Sequence, residues 1–189
     1  ILAQSISSIN QPNSHHWLRA VPVNLVPDRD RLLLYPMDKQ GNTSSENFCG
    51  RIANELLKVF NDSFAEILVD DASGWLFRLK QPAQITTSSL KEVSGKNIEK
   101  FLPTGDQASY WIAIFNEIQM ILHAADSTEH GFNALWFEGA GSLPEIRSVQ
   151  KVGAIGHENL FLAISEYCQA ELYDETSDLR GRIDGLDRL

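Results

Sequence analysis

The amino-acid sequence predicts an α+β fold, with a mixed, largely antiparallel sheet and about three helices packed on it. Several short segments alternate apolar with polar residues at the period of a strand, and turn-forming residues separate them. Two longer segments repeat apolar residues every three or four positions, which is the pattern of a helix with one buried face. Residues 134–137 form a continuous apolar run that is typical of a strand buried on both faces.

The first predicted elements form a β-hairpin. Residues 15–26 alternate at the strand period, and Pro22 within them favours an edge position or a bulge, because proline has no N–H to donate to a sheet. Residues 27–30 supply turn chemistry, and residues 31–35 form the second strand. The polar residues 1–14 lack periodicity, and we expect a loosely held arm there.

A helix is predicted over residues 44–61. Thr43 and Glu46 have the spacing of a capping box, in which the two side chains satisfy backbone N–H groups at the start of a helix. Behind this box, apolar residues recur on one face of the predicted helix: Phe48, Ile52, Leu56, Val59 and Phe60.

Two more strands are predicted at residues 64–69 and 75–80. The link between them is too short for a parallel crossover, so this pair should be antiparallel. Residues 81–103 then form a long, irregular connection, a kind of segment that often has a functional role. A second capping box at residues 104–107 precedes a helix that ends near His123. Its apolar face is wide: Trp111, Ile114, Phe115, Ile118, Ile121 and Leu122.

The apolar run at residues 134–137 is predicted to be the central strand and to end in a turn at Gly139-Ala140-Gly141. A short strand within residues 148–155 and a helix over residues 157–173 complete a single domain predicted at residues 15–173. The tail, residues 174–189, is polar and is either solvated or cut off from a missing segment.

The composition limits the class of protein. The chain has 189 residues and a formal net charge of −9. A nucleic-acid-binding protein needs a basic surface for the phosphates, so we expect no nucleic acid as partner. No apolar run approaches the roughly 20 residues of a membrane span, so we expect no membrane as partner. The two cysteines, Cys49 and Cys168, form no pattern, which favours a reduced, cytoplasmic protein.

Candidate ligand-binding residues lie around the glycine turn and in the long connection. Gly139 and Gly141 either let the chain turn or let a ligand approach the backbone closely. His123 is either a stabilising imidazole at a helix C-terminus or a ligand-binding base. Thr86 and Thr87 either bind a ligand through their hydroxyls or anchor the connection through local hydrogen bonds, and we favour the anchor.

Three segments together resemble the middle region of the archaeal-type, cofactor-independent phosphoglycerate mutases: residues 85–105, residues 116–123 and residues 133–141. The same order and spacing resemble still more closely a proteobacterial family whose members are described as regulatory proteins or phosphoglycerate mutases. The resemblance spans about residues 17–167, and it includes Asn133 and Glu138 among the candidate ligand-binding residues.

The mutases belong to the alkaline-phosphatase-like superfamily. Their reaction uses a serine nucleophile and two divalent metals held by Asp and His, in a core domain outside the region of the resemblance. Residues 88–92 lack the histidine that the mutases have after the threonines, and Glu138 replaces their arginine before the glycines. An arginine could pair with a phosphate, whereas a glutamate repels one. We therefore predict no catalytic residue, metal ligand or cofactor in this chain.

The sequence leaves three alternative functions open. The first is a phosphoglycerate-mutase-related, non-catalytic domain with a regulatory or binding role. The second is an active metal-dependent mutase or phosphotransfer enzyme when the chain is joined to flanking segments. The third is a protein-interaction module that binds a partner through the arm and the tail. The expected partner is thus a small molecule or a protein, and the oligomeric state is left open.

Overall fold

The computed structural model describes residues 15–37, 46–69 and 74–142, together with the backbone of residues 153–155 and 171–173. Within this part of the chain it confirms the α+β class, with an antiparallel sheet of five strands and three helices. The contacts divide the chain into two units, one from Ser14–Leu143 and the other from Ile1–Asn13 with Pro144–Leu189.

The predicted hairpin is confirmed. Strands β1 (His16–Asp28) and β2 (Arg31–Pro36) pair antiparallel, from Val23 opposite Pro36 to Asp28 opposite Arg31. The turn between them has only two residues, and the first of these, Arg29, has a φ of 56°. An exposed ion pair of 3.1 Å between Asp28 and Arg31 closes the hairpin.

The central strand of the sheet is β1, so the prediction that residues 134–137 form the central strand is wrong. The prediction that Pro22 lies on an edge or at a bulge is also wrong. On one edge of β1, β4 (Trp75–Leu79) pairs as far as Ala20 and β2 begins to pair at Val23. Pro22 lies in the gap between these two strands, where a missing N–H breaks no ladder with either of them. The other edge of β1 pairs with β5 (Ala134–Ser142).

The sheet continues from β4 to β3 (Phe64–Leu68), and this pair is antiparallel, as predicted. In the described residues β5 pairs with β1 alone, so it lies at the side of the sheet. Its first four side chains are nevertheless buried, which confirms the interpretation of residues 134–137 as a strand covered on both faces.

Helix α1 (Glu46–Val59) has the predicted apolar face, with one exception. Phe48, Ile52, Leu56 and Phe60 are buried, but Val59 is 47% exposed, because it lies on the solvent side of the last turn. Thr43 lies outside the described residues, and so does the capping box predicted there.

Helix α3 (Ala108–Ala124) also has the predicted buried face, with Ile121 only partly buried. The capping box predicted for it is wrong. The helix begins after Gln107, which makes no side-chain cap. Thr104 instead pairs through its backbone with Thr86, at N–O distances of 2.8 and 3.0 Å, so its position is fixed by the connection that precedes the helix.

The connection at residues 81–103 is more regular than predicted. It contains the short helix α2 (Leu90–Val93) and a 3-10 turn at Ile98–Phe101. Ser89 and Glu92 form a capping box at the start of α2, in which the Ser89 N–H donates to the Glu92 carboxylate at 2.8 Å. Further along, the Gly95 N–H donates to the Leu34 carbonyl of β2 at 2.7 Å, so the connection is held against the sheet.

The capping box should make the start of α2 sensitive to acid. Hydrogen bonds from the Ser89 side chain and backbone hold the pKa of Glu92 below its usual range. Because the folded-state pKa is lowered, the stabilisation is present above the unfolded-state pKa and is lost as the pH falls through the folded-state pKa. We expect the hydrogen-exchange protection factor of the Ser89 amide to fall as the pH drops below the ordinary range of glutamate.

The matched variant is Glu92→Gln, which keeps an acceptor but cannot titrate. In this variant the protection of the Ser89 amide should no longer depend on pH in the acid range. The Gly95 amide, which bonds to the Leu34 carbonyl, provides an internal reference without a titrating partner. An unchanged acid profile in the variant would show that the Glu92 carboxylate is not the titrating group.

The sheet and helices meet in a cluster of aromatic rings. Phe137 of β5 is 3% exposed, and its ring centroid lies 5.8 Å from that of Trp111 and 6.2 Å from those of Phe115 and Phe77. Side chains alternate between the two faces of a strand, so Glu138 points to the opposite face from Phe137. The Phe137 ring thus packs on α3, whereas the Glu138 side chain belongs to the polar cluster described below.

The second unit contributes one described feature, a parallel pair of β6 (Gly153–Ile155) and β7 (Glu171–Tyr173). The strand predicted within residues 148–155 is present at its C-terminal end. The helix predicted over 157–173 is wrong at its last three residues, which form β7. The remainder of that predicted helix lies outside the described residues, and so do the arm at residues 1–14 and the tail at residues 174–189. No helix in the described part of the chain has the length and apolar character needed to cross a membrane.

Candidate functional site

A β-bulge in β5 replaces the turn that was predicted at the glycines. Trp17 lies opposite Gly141 and Arg19 lies opposite Glu138, so two residues of β5 face the single residue between them on β1. Gly139 has a φ of 64°, the left-handed conformation that glycine supplies in one common kind of bulge. The strand therefore continues to Ser142, and the extra residue bends it and redirects the side chains on either side.

Replacing Gly139 by alanine should destabilise the protein by about 1 kcal/mol, because a side chain disfavours the left-handed backbone. A Cβ at this position would meet no atom within 4 Å, so the loss should come from the backbone conformation alone. Gly141→Ala is the matched control, since its Cβ would also meet open space and its φ lies outside the left-handed range. Urea denaturation of both variants measures the difference, and equal stabilities would contradict the bulge conformation.

Glu138 is the centre of the polar cluster beside the bulge. Its side chain is 11% exposed, and both of its carboxylate oxygens accept hydrogen bonds. Arg19, its cross-strand neighbour on β1, donates from Nη1 to Oε1 in an ion pair. The backbone N–H of Leu90, the first residue of α2, donates to Oε2 at 2.5 Å. One carboxylate thus links β5, β1 and the beginning of α2.

Residues 87–90, which we call the strap, are held against β5 by two further hydrogen bonds. The Gly139 N–H donates to Oγ1 of Thr87 at 3.0 Å, and the Trp136 indole N–H donates to the Ser88 carbonyl at 2.9 Å. Since Thr86 pairs with Thr104 through its backbone, both threonines anchor the connection. Each of the three bonds between strap and strand uses a side chain, so the amino-acid types at these positions determine the docking.

Asn133 lies at the other end of β5 and is occupied by the sheet. Its side-chain oxygen accepts from the Leu25 N–H at 2.7 Å, and its amide nitrogen donates to the Leu25 carbonyl at 2.9 Å. At about 3.3 Å per residue, the strand separates Asn133 from Gly139 by roughly 20 Å. His123 is exposed in the last turn of α3 and takes no part in the hydrogen bonds of the strap. The structure thus brings Thr87, Glu138 and Gly139 together, whereas Asn133 and His123 lie outside this cluster.

Arg19 is the member of the cluster that the sequence analysis did not identify as functional. It belongs to an ordinary alternating strand, and its pairing with Glu138 depends on the register between β1 and β5, which the residues next to it in the sequence do not reveal. The described residues contain no candidate metal centre, because no three of their His, Cys, Asp or Glu side chains lie close enough together to hold a metal ion. A cavity of about 480 Å³ lies at the start of α3, lined in part by Ser63, Tyr110 and Trp111.

Comparison with known proteins shows a likeness of fold. The chain is similar to a solved structure of the cofactor-independent phosphoglycerate mutase from Thermoplasma acidophilum DSM 1728, with a TM-score of 0.50 and 18% sequence identity. The likeness covers 96% of this chain and 55% of that chain, so the chain spans about half the length of that enzyme. No family model and no curated protein matches the sequence.

Proposed function

We propose that this chain is a phosphoglycerate-mutase-related domain with a regulatory or binding role, and that it does not itself interconvert phosphoglycerates. The fold likeness to a phosphoglycerate mutase supports the relationship. The observation that best supports a non-catalytic role is the position of Glu138. Its carboxylate lies beside the glycine bulge and is bonded to Arg19 and to the Leu90 N–H. A cytoplasmic location belongs to the same proposal.

The charge balance at this cluster disfavours a phosphorylated ligand. Two unit charges about 4 Å apart near a protein surface interact by roughly 4 kcal/mol. Repulsion of a phosphate by the Glu138 carboxylate would therefore offset most of its attraction to Arg19, because the two side chains lie in contact. The net charge of −9 adds a weaker repulsion in the same direction.

A second candidate function follows from the extent of the likeness. Because the chain covers 55% of the mutase, segments corresponding to the other part of that enzyme could supply a reaction centre in a longer protein. In that case this chain would be one part of an active enzyme. The interaction-module alternative depends on the arm and the tail, which lie outside the described residues.

An assay of 3-phosphoglycerate conversion to 2-phosphoglycerate, with Mn²⁺ present and an enolase-coupled readout, tests the proposal. We expect no rate above the blank for this chain, with the Thermoplasma acidophilum mutase as the positive control. Metal-dependent turnover by this chain would overturn the proposal. Activity that appears only in the product of a longer reading frame would support the second candidate function.

A further inference from the structure

We propose that the cavity of about 480 Å³ at the start of α3 binds a small organic ammonium ion, with Asp62 and Asp106 as the anionic partners of its charge. Tyr110 and Trp111 supply apolar surface for the carbon atoms of this ligand. The inference goes beyond the proposed function, because none of the described residues that line the cavity belongs to the Glu138 cluster.

The cavity has the size and the lining of a small-molecule site. Its volume lies within the usual range of such sites, which are concave and largely apolar. Its walls come from three places in the chain, namely the residues after α1, the residues after β4 and the first turn of α3. Trp111 is 3% exposed and Tyr110 is 48% exposed, so both a buried and an open part of the cavity present an aromatic ring. Pro82 adds to this apolar surface.

The two aromatic rings are held in place by the protein itself. The hydroxyl groups of Tyr110 and Ser63 share a hydrogen bond, which joins the first turn of α3 to the residues before β3. The Trp111 indole N–H donates to the Gln107 side-chain oxygen at 3.4 Å. The ring centroids of Tyr110 and Trp111 lie 5.7 Å apart in an edge-to-face arrangement. Because this wall is ordered without a ligand, binding loses little entropy in forming it.

The charge of the cavity favours a cation. Asp62 and Asp106 are exposed, and neither carboxylate makes a hydrogen bond or an ion pair with another described residue. The described lining of the cavity includes no lysine or arginine, and the net charge of −9 adds to the attraction of a cation. An ammonium group is attracted both by carboxylates and by the face of an aromatic ring. The apolar walls favour an organic cation, because a metal ion gains nothing from contact with hydrocarbon.

Asp62 lies where a negative charge is unfavourable for the fold. Helix α1 ends shortly before it, and the Phe60 carbonyl accepts from the N–H groups of Ser63 and Phe64 at 3.0 Å. A helix C-terminus carries a partial negative charge, which repels a carboxylate. Asp106, by contrast, precedes α3, and a helix N-terminus attracts a carboxylate. A bound cation would therefore explain the charge of Asp62, which the helices alone do not.

The experiment is a titration of the whole chain with benzylammonium chloride at constant ionic strength, observed through the indole N–H signal of Trp111 and the backbone amide signal of Ser63. We expect saturable shifts of both signals with one dissociation constant. Benzyl alcohol has the same ring without the charge, and it should bind at least about tenfold more weakly, a difference of about 1.4 kcal/mol. Equal affinity for the two probes, or no saturable shift with benzylammonium, would overturn the proposal.

Two variants test the carboxylates. Asp62→Asn and Asp106→Asn keep the shape of the side chain and remove its charge, and each should weaken benzylammonium binding at least about fivefold, a difference of about 1 kcal/mol. Glu117→Gln is the matched control, since Glu117 is exposed on α3, lies outside the described lining of the cavity and changes the net charge equally when replaced. An equal loss of affinity in this control would show a general effect of net charge and would overturn the proposal.

Thermal unfolding separates binding from a structural role of Asp62. Without ligand, Asp62→Asn should melt at the same temperature as the wild-type chain or higher, because a charge that the helix end repels is removed. Benzylammonium should raise the melting temperature of the wild-type chain by mass action, and by less in Asp62→Asn. A lower melting temperature of Asp62→Asn without ligand would show that the carboxylate serves the fold, and would overturn the proposal. Mutase activity in the wild-type chain would remove the proposed function, whereas absence of the benzylammonium shifts would remove this inference alone.

Discussion

Replacing Phe137 by alanine is expected to lower the free energy of unfolding by about 3–5 kcal/mol, which is the usual range for a large aromatic side chain lost from a core. Phe137 is 3% exposed and contacts rings on β4 and α3. The loss combines the transfer of the ring to water with the cavity that remains, because neighbouring rings can fill the space only in part.

Urea denaturation followed by tryptophan fluorescence measures this change. Met120→Ala provides the control, since Met120 is 72% exposed on α3 and its removal should change stability by no more than about 0.5 kcal/mol. The loss of stability in Phe137→Leu should lie between those of Phe137→Ala and Met120→Ala, because leucine fills part of the space left by the ring. A loss below about 1 kcal/mol in Phe137→Ala would contradict the packing of β5 against α3.

Replacing Glu138 by alanine is expected to destabilise the protein by about 1–3 kcal/mol, because the Leu90 N–H loses its acceptor and the ion pair with Arg19 disappears. The ion pair supplies the smaller share, since Arg19 is 41% exposed and solvent screens it. Because the same carboxylate holds the strap, hydrogen exchange at the Leu90 amide should increase in this variant.

Glu66→Ala provides the comparison, because Glu66 on β3 makes an ion pair of 2.9 Å with Arg78 on β4. It removes a more exposed ion pair, so it should cost no more than about 1 kcal/mol. A double-mutant cycle between residues 19 and 138 then isolates the pairwise contribution from the loss of the Leu90 bond. If Glu138→Ala and Glu66→Ala have equal stabilities, the Leu90 N–H does not depend on the carboxylate.

The elements with strong local patterns were predictable from the sequence. Alternation marked β1 and β2, and the recurrence of Phe48, Ile52 and Leu56 marked the buried face of α1. The antiparallel pairing of β3 with β4 followed from the shortness of their link. In each case the information lies within a window of neighbouring residues.

The arrangement of the sheet depends on residues far apart in the chain. Pro22 is compatible with an edge, a bulge or a gap between two strands, and only the positions where β2 and β4 stop decide among them. Gly139 is compatible with a turn or a bulge, and only its pairing with β1 decides that question. Local propensity therefore identified both special positions but not the structural role of either.

The candidate site was only partly predictable, because it too depends on contacts between residues far apart in the chain. The departure at Glu138 from the mutase pattern is visible in the sequence, and so is the possibility that Thr87 anchors the connection. The partner of Glu138 is not, because Arg19 lies 119 residues away and meets it only through the pairing of β1 with β5. The sequence alone therefore shows the loss of a positive charge at residue 138, but not the arginine that the neighbouring strand supplies.

The most direct test of the proposed function, in which Glu138 disfavours a phosphorylated ligand, is a titration of the wild-type chain with 3-phosphoglycerate, followed through the backbone amide signals of Leu90 and Gly139. These two N–H groups donate to the Glu138 carboxylate and to Thr87, so a ligand that entered the cluster would move both signals. With Glu138 in place, both signals should stay unmoved up to millimolar ligand. A saturable shift of both signals, with or without Mn²⁺, would contradict the account.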